Sequence, residues 1–476
     1  MCDPRLPELD LPLTRRSLIE RGAAAAAFLA LPSALRPPAS ASLREAEGSY
    51  LGSALNAERW IAQSAIRDGR GLTWPADPAD ARSVQGNLYS GSPGVVLFYL
   101  ELAHATGDRR WLEPALAGAE YLAATLPATA STLGEEGAGL YTGVAGVAYV
   151  LELAREATGN ARLGNARLGD ARNRAVALLR DGLAPAGAGA AWNPSADIIS
   201  GSSGIVLTLA WLDRHGGAWS DWRRDAVRVG DRLVEVGTPE HGGVKWSITS
   251  AMPRRYPNFS HGTAGVSYVL ATLSKETGER RFLDAALAGE RYLQAIATRT
   301  PNDGIKVFHS EPGGEQLFYL SWCHGPAGTA RLYHRLAEVT GDASWRAMLP
   351  RLAQGIVDSG VPDQHPDRSG YWNNISQCCG ASGVAEFFIA MHAMTGDTRH
   401  LTFARRVMDD VVSRATADGA GLKWIQAEHR VRPELLVAQT GLMQGAAGVG
   451  LALLHLDGAM NRRAPLVALP DAPQWV

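Results

Sequence analysis

Three cysteines have the residue type and spacing that most directly indicate chemistry. Cys323, Cys378 and Cys379 each lie one or two positions before the first glycine of a Gly-x-x-Gly motif. Zn²⁺ favours a tetrahedral set of sulfur and nitrogen ligands, and a catalytic zinc site keeps one position open. Three thiolates at helix N-termini, where the helix dipole favours the ionised sulfur, would leave that fourth position free. The pattern therefore predicts one zinc ion per chain, with inert core thiols or a disulfide as the alternatives.

Two further candidates occupy comparable positions in earlier copies of the motif. His261 immediately precedes Gly262, and Asp197 lies four residues before Gly201. An imidazole can exchange protons near neutral pH, so His261 and Asp197 are the catalytic acid–base candidates. A structural hydrogen bond or a helix cap is the alternative for each. His324 follows Cys323 and is either a metal ligand or, as we prefer, a residue that contacts ligands or substrate.

The glycine motif is an internal repeat, which indicates one supersecondary unit copied along the chain. A mostly apolar run of about a dozen residues follows each copy, then a Thr-Gly turn, whose glycine we expect in the left-handed conformation, and then an amphipathic helix. Seven such hairpins, each with a buried inner and a half-exposed outer helix, predict an all-α fold, an α/α toroid. Residues before the glycines would then line one mouth of this barrel. The seven copies, at intervals of 52 to 65 residues, begin at Gly91, Gly143, Gly201, Gly262, Gly325, Gly380 and Gly445.

Three connecting segments interrupt the repeat. Residues 159–170 are a short tandem duplication, which we interpret as a surface insertion. Residues 299–321 and 359–377 have the Pro, Gly and Asp content of longer loops, and we expect these loops near the mouth.

With these motifs the sequence resembles the lanthionine synthetase C-like family over essentially the whole chain after the leader. The resemblance implies a toroid that binds one zinc and adds a thiol to a dehydroamino acid, forming a thioether. It implies that Cys323, Cys378 and Cys379 hold the zinc, and that His261 and Asp197 manage protons. The partners would be a peptide or small-molecule thiol and a dehydroamino acid. The local matches are Asp197-x-x-x-Gly201, Ser260-His261-Gly262, Trp322-Cys323-His324-Gly325 and Cys378-Cys379-Gly380.

Two positions depart from the commoner pattern of that family. The family more often has Cys-His-Gly where this chain has Cys378-Cys379-Gly380, and a thiolate in place of imidazole makes the site more negative. Bacterial cyclases often carry an arginine four residues before the first zinc cysteine, and here that residue is Tyr319. Eukaryotic members, which add glutathione to dehydroamino acids, also lack this arginine. The thiol and its acceptor therefore stay open.

Two other functions are compatible with the sequence. One is a non-catalytic, zinc-containing binding scaffold. The other is a carbohydrate-active enzyme on an α/α toroid, which would need two carboxyl groups flanking the scissile bond. Beside Asp197, the loop residues that could supply the second carboxyl group are Asp303, Glu311, Glu315 and Asp363.

The first 41 residues indicate export. Residues 14–19 resemble a twin-arginine signal, a short apolar run follows, and residues 39–41 form an A-x-A-like cleavage site. We expect residues 42–476 to be a stand-alone, monomeric toroid domain, periplasmic or secreted, with no membrane association after signal removal. A net charge of −2 without a long Lys/Arg run predicts no nucleic-acid partner.

Overall fold

The computed structural model describes residues 49–158, 162–252, 254–363 and 371–473. The predicted signal, residues 1–41, lies outside these ranges, so export stays a prediction. The helices are α1 (Tyr50–Gln63), α2 (Ser92–Thr106), α3 (Leu112–Thr125), α4 (Val144–Thr158), α5 (Arg162–Gly182), α6 (Ser202–Arg214), α7 (Trp222–Glu235), α8 (Thr263–Thr277), α9 (Arg280–Ile296), α10 (Pro326–Thr340), α11 (Ala343–Arg346), α12 (Met348–Val357), α13 (Ala381–Thr395), α14 (Thr398–Ser413) and α15 (Ala446–Met460).

Each Gly-x-x-Gly motif opens one of the inner helices, which are α2, α4, α6, α8, α10, α13 and α15. Each inner helix packs against the next one, and α15 packs against α2, so the circle closes. Every residue of α2 from Ser92 to Ala103 is buried, because this helix has neighbours on all sides. The outer helices α7, α9 and α14 bury only one face. The predicted α/α toroid is confirmed.

The seventh hairpin is assembled from two distant parts of the chain. The outer partner of α15 is α1, which packs along it. The hydroxyl of Tyr50 donates to Asp409 Oδ1 at 2.6 Å, and Trp60 Nε1 donates to Asp418 Oδ2 at 3.2 Å. These two bonds join α1 to α14 and to the strand Thr416–Asp418, and we call the contacts of α1 with α14, this strand and α15 the clasp.

Close backbone approach explains why the motif needs glycine. A Cβ on Gly262 would lie 1.4 Å from the carbonyl oxygen of Tyr256. A Cβ on Gly328, the second glycine of its copy, would lie 1.9 Å from the carbonyl oxygen of Trp322. The segment before each inner helix therefore crosses directly against the first helical turn, and this crossing brings the residues just before the glycines to the mouth.

The turns between inner and outer helices follow the sequence expectation. Asp108, Asp342 and Asp397 each accept a hydrogen bond from a backbone N–H at the start of the next helix. The glycines that end inner helices in the left-handed conformation have φ between 67° and 78° and are Gly107, Gly278, Gly341 and Gly396. These turns fix the angle between each described inner helix and its outer partner.

Short strands, which the repeat pattern does not predict, connect the outer helices to the mouth. The strands are β1 (Ile66–Asp68), β2 (Gly71–Thr73), β3 (Ala184–Ala186), β4 (Gly189–Ala191), β5 (Thr238–Glu240), β6 (Gly243–Lys245), β7 (Thr298–Arg299), β8 (Ile305–Lys306), β9 (Phe318–Tyr319), β10 (Tyr371–Trp372), β11 (Thr416–Asp418), β12 (Gly421–Lys423), β13 (Gln426–His429) and β14 (Arg432–Val437). All are paired as two-stranded antiparallel ladders except β9 and β10, which are parallel.

The duplicated segment is helical where the structure describes it. Residues 162–170 form the first part of α5, an outer helix that packs against α4. The described part of the duplication is thus a helical extension at the start of an outer helix, and whether it is an insertion stays a prediction. The long loops, by contrast, contribute β9 and β10, which join the two segments predicted near the mouth.

Candidate active site and metal centre

A closed belt of backbone hydrogen bonds holds the mouth of the barrel together. In each copy it passes through the residue two or three positions before the first glycine, so the copies are equivalent in space. Because every member donates to the next, the belt fixes the spacing of the side chains that it carries. The bonds, with N···O distances of 2.8 to 3.0 Å, run from Tyr89 to Tyr141, Tyr141 to Ile199, Ile198 to Ser260, Ser260 to Cys323, Cys323 to Cys378, Cys378 to Met443 and Met443 to Tyr89.

The belt brings the three predicted cysteines together. The Sγ atom of Cys379 lies 3.1 Å from that of Cys323 and 3.4 Å from that of Cys378, and all three sulfurs lie within 4.8 Å of one another. Each cysteine is fully buried. These separations are far longer than the ~2.05 Å of a disulfide bond, so the three residues are thiols.

The thiol cluster fits a tetrahedral metal ion. Zinc–sulfur bonds of ~2.3 Å place two sulfurs of a tetrahedron roughly 3.8 Å apart, close to the spacing found here. Three soft sulfur donors facing one another suit zinc better than hard cations, which prefer oxygen. Among the described residues, this group of mutually close ligand atoms does not include His324. The cluster could therefore hold a metal with a fourth position available.

His261 and Asp197 form a buried dyad on the same belt. The Nδ1 atom of His261 lies 2.5 Å from Asp197 Oδ2. The other oxygen of Asp197 accepts hydrogen bonds from the backbone N–H groups of Ser200 at 2.9 Å and Gly201 at 2.7 Å, at the N-terminus of α6. Asp197 is 1% exposed and His261 4%. The aspartate thus holds the turn that leads into α6 and also orients the imidazole, so a structural hydrogen bond is present, and its catalytic role stays a prediction.

A group of aromatic rings connects the dyad to the thiol cluster. The ring of His324, the neighbour of Cys323, stacks on that of His261 with centroids 5.6 Å apart. His324 also packs against His309 at 4.5 Å, Tyr256 at 5.0 Å and Tyr319 at 5.7 Å. His324 therefore belongs to the wall of the site, in agreement with the preferred interpretation. Tyr319 adds an aromatic edge where related bacterial cyclases often have a cation.

A cavity of about 360 Å³ opens on the other side of the dyad. Asp197 and His261 contribute to its wall, whereas the three cysteines do not. The remaining lining comes from the first four copies of the repeat, and its mainly apolar surface carries polar groups that include those of Gln85, Asn87 and Asn193. The dyad therefore borders both the cavity and the aromatic wall next to the thiols.

The loop carboxylates that a glycosidase would need are engaged in structural contacts. Glu311 binds Lys245 Nζ at 3.0 Å, and Asp303 binds Arg351 at 2.8 Å. Asp363 pairs with Arg406. Glu315 accepts the N–H of Gly313. The structure does not bring any of these four carboxylates to the wall of the cavity beside Asp197.

The circle of inner helices inside outer helices, with a thiol cluster at the mouth, defines an α/α-toroid protein with a candidate metal centre. A model of the family described as "Lanthionine synthetase C-like protein" matches residues 82–469. The chain belongs to this family, and the resemblance inferred from its motifs is confirmed.

Several solved structures match this chain at low sequence identity. Nisin cyclase matches with a TM-score of 0.55 and 16% identity, over 86% of this chain and 98% of that one. The Lin0763 protein from Listeria innocua matches with a TM-score of 0.46 and 12% identity, over 87% and 97% of the two chains. An inactive variant of an α-1,6-mannanase from Salegentibacter sp. HEL1_6 has a TM-score of 0.43 and 11% identity, over 87% and 99%. The likeness to nisin cyclase supports the fold alone.

Sequence reasoning missed three residues around the site. Tyr256 and His309 pack on His324 but lie in loops, outside the repeated positions. Asp471 lies near the end of the described chain and is not part of any recognisable sequence motif. It is nevertheless completely buried and accepts a hydrogen bond from Trp322. A long loop predicted at the mouth was the available signal for His309.

The described helices include none that is long and apolar enough to cross a bilayer.

Proposed function

We propose that this protein is a zinc-dependent enzyme that adds a thiol to the double bond of a dehydroamino acid and so forms a thioether. One observation carries the proposal: the three thiols and the His261–Asp197 dyad lie on the same belt, connected through the ring of His324. A thiol cluster alone would fit a structural metal, whereas a carboxylate-oriented imidazole beside it supplies an acid and base. Membership of the lanthionine synthetase C-like family supports this assignment.

Each group has a defined task in this reaction. Zinc bound by Cys323, Cys378 and Cys379 would favour ionisation of a substrate thiol and so supply the nucleophile. Asp197 accepts a hydrogen bond from Nδ1 of His261, and this bond keeps the imidazole ring in one orientation. His261 can then use Nε2 to take up a proton and to deliver it.

The bond changes balance without a redox partner. A sulfur–carbon bond forms at the β-carbon of the acceptor, and the π electrons of the double bond move to the α-carbon side as an enolate. The proton that the thiol loses is equivalent to the one that His261 delivers to the α-carbon. The product is a thioether with no net change in charge.

The cavity indicates where the acceptor binds. Its volume, about 360 Å³, lies near the lower end of the ~300–1,000 Å³ typical of small-molecule sites. Its amide and hydroxyl side chains suit the peptide groups that flank a dehydroalanine or dehydrobutyrine. We therefore infer an acceptor that is a short peptide segment or a single dehydroamino acid derivative.

The test combines metal content with turnover. Purified protein is assayed for zinc by mass spectrometry and incubated with an N-acyl dehydroalanine amide and a small thiol, and thioether product is measured by its mass. We expect about one zinc per chain and a thioether product. His261→Ala should keep zinc and circular dichroism but lower turnover by roughly 10²–10⁴, the contribution typical of a general acid. His400→Ala, on the outer helix α14, is the matched control.

Three outcomes would contradict the proposal in different ways. Zinc without thioether formation from any dehydroamino acid or thiol tested would favour the binding scaffold. Normal turnover by His261→Ala would remove the imidazole from the reaction, and loss of zinc or of helix content in that variant would make its role structural.

A further inference from the structure

The chain after α15 turns back and ascends inside the barrel. The carbonyl oxygen of Ala464 lies 2.9 Å from His104 Nε2, near the C-terminal end of α2. The N–H groups of Leu466 and Val467 donate to Glu101 Oε2, one helical turn closer to the mouth. At ~1.5 Å per helical residue, the segment starts roughly 18 Å below the helix N-termini and approaches them step by step.

The ascent continues to the belt itself. The carbonyl oxygen of Ala468 accepts a hydrogen bond from the hydroxyl of Tyr149, in the second turn of α4. Asp471 then accepts hydrogen bonds from the hydroxyl of Tyr141 at 3.1 Å and from Trp322 Nε1 at 2.8 Å. We call residues 464–473 the axial segment.

Asp471 must lie on the barrel axis. Tyr141 belongs to the second copy of the repeat and Trp322 to the fifth, so they stand on opposite sides of a seven-membered circle. Their rings meet with centroids 4.9 Å apart, and one carboxylate bonds both. Arg331, on the inner helix α10, donates to the backbone carbonyl of Asp471 at 2.9 Å and lies 3.4 Å from its carboxylate. Asp471 is 0% exposed, so its charge is balanced by this arginine.

A second buried charge group anchors the lower part of the axial segment. His455 Nδ1 lies 2.8 Å from Glu386, and its Nε2 lies 3.6 Å from Glu101, the carboxylate that binds the segment. Burial alone would lower the pKa of His455, but Glu386 and Glu101 outweigh burial and raise it to about 10. Burial alone would raise the pKa of Glu101, but His455 and the N–H of Val467 keep it below its usual value. The anchor is therefore charged at neutral pH.

We propose that the axial segment is an internal plug beneath the mouth, and that Asp471 is a positioning residue for the metal centre. It acts through Trp322, the residue directly before Cys323, and through Tyr141. The proposal rests on the proposed zinc site, but it concerns Asp471, which lies beyond residue 469, where the family match ends.

The contacts define how the plug works. Trp322 shares its backbone with Cys323, so the bond from its indole N–H to Asp471 restrains the peptide that carries one thiol. Tyr141 is a member of the belt, and its ring packs on that of Trp322 with centroids 4.9 Å apart. With Tyr141, Trp322 and Asp471 meeting on the axis, substrates would reach the thiols only from the cavity side.

The experiment measures zinc affinity by competition with a chromogenic chelator. Asp471→Leu keeps the approximate side-chain volume but removes both acceptors. We expect it to bind zinc about 10- to 100-fold more weakly, the range found when partners behind metal ligands are removed. Asp471→Asn keeps an acceptor for Trp322 and should recover most of the affinity. A chain that ends after Arg463 should behave like Asp471→Leu, and a chain that lacks only residues 474–476 is the control.

The outcomes separate this inference from the proposed function. If the native protein binds no zinc, the proposed metal site fails. If it binds zinc, and Asp471→Leu and the chain ending after Arg463 bind it equally well, the positioning role of Asp471 is refuted.

A measurement on the unaltered protein covers the case in which these variants do not fold. Amide hydrogen exchange of Leu466 and Val467, whose N–H groups donate to Glu101, should be slow and should accelerate when zinc is removed, because coupling between two sites is reciprocal. Fast exchange in the zinc-loaded protein, or exchange that is indifferent to zinc, would overturn the proposal.

Discussion

Replacing Asp197 with asparagine separates the two roles that the structure gives to this carboxylate. The asparagine Oδ1 can still accept hydrogen bonds from the N–H groups of Ser200 and Gly201, so the turn before α6 is kept. The other position becomes an NH₂ group that faces Nδ1 of His261, 2.5 Å away in the native protein. Two donors would then meet whenever the imidazole is protonated on both nitrogens. The variant should therefore fold normally but deliver protons poorly.

The size of the effect follows from the bond that is lost. A hydrogen bond to a charged partner contributes about 1.5–3 kcal/mol. Since about 1.4 kcal/mol corresponds to a factor of ten, turnover should fall roughly 10- to 150-fold. Asp197→Ala also leaves the buried N–H groups of Ser200 and Gly201 without this acceptor and should unfold at lower temperature, with a cost of about 1–3 kcal/mol.

The assay is thioether formation at saturating thiol, with zinc content and thermal midpoint measured on the same samples. Asp213→Asn is the control, because Asp213 lies on the same helix but pairs with Arg223 away from the mouth. Turnover at the native rate in Asp197→Asn would refute the dyad. A fall in thermal midpoint without a fall in turnover would reduce Asp197 to a structural role in the turn before α6.

Three further predictions address the metal, the anchor and the repeat. Cys323→Ala should lose most of its zinc, whereas Cys379→His should keep it because imidazole is also a good ligand; zinc retained in Cys323→Ala would refute the thiolate site. The folded-state pKa of His455 is raised from 6.5 to about 10, so its stabilising contribution is complete below pH 6.5 and is lost as pH rises through 10. The thermal midpoint of the native protein should therefore fall between pH 7 and pH 10 more steeply than that of His455→Gln, and parallel curves would contradict this. Gly328→Ala should destabilise the fold by about 1–3 kcal/mol through overpacking. Gly86→Ala is the control, because an added Cβ there meets nothing within 4 Å. Equal denaturation midpoints for the two variants would contradict this prediction.

The repeat made the thiol cluster predictable. Cys323 and Cys378 occupy the same position relative to their glycines, and equivalent positions of a closed repeat must meet at one mouth. The same reasoning placed His261 and Asp197 there, but it could not predict the hydrogen bond between them, because Asp197 lies four residues before its glycine instead of one or two.

Residues outside the repeat were not predictable by this route. His309 reaches the site from a loop whose path depends on tertiary packing, and Asp471 reaches it from a segment with no counterpart in other copies. The pairing of α1 with α15 has a related cause. A hairpin pattern indicates partners that are adjacent in sequence, and it contains no signal for a partner at the other end of the chain.

The clasp has a consequence for how the molecule reaches its native state. The hydrogen bond between Trp60 and Asp418 joins residues 358 positions apart. Closing a flexible chain over that distance costs about 1.7 kcal/mol more entropy than closing one repeat, because this cost grows with the logarithm of length. Until α15 has been synthesised, α1 has no partner to cover its apolar face, and the growing arc of hairpins exposes an apolar edge at each end. Completion of the barrel is therefore a post-synthetic event, and the seam between the two ends is where a partly folded chain is most open to association with another copy.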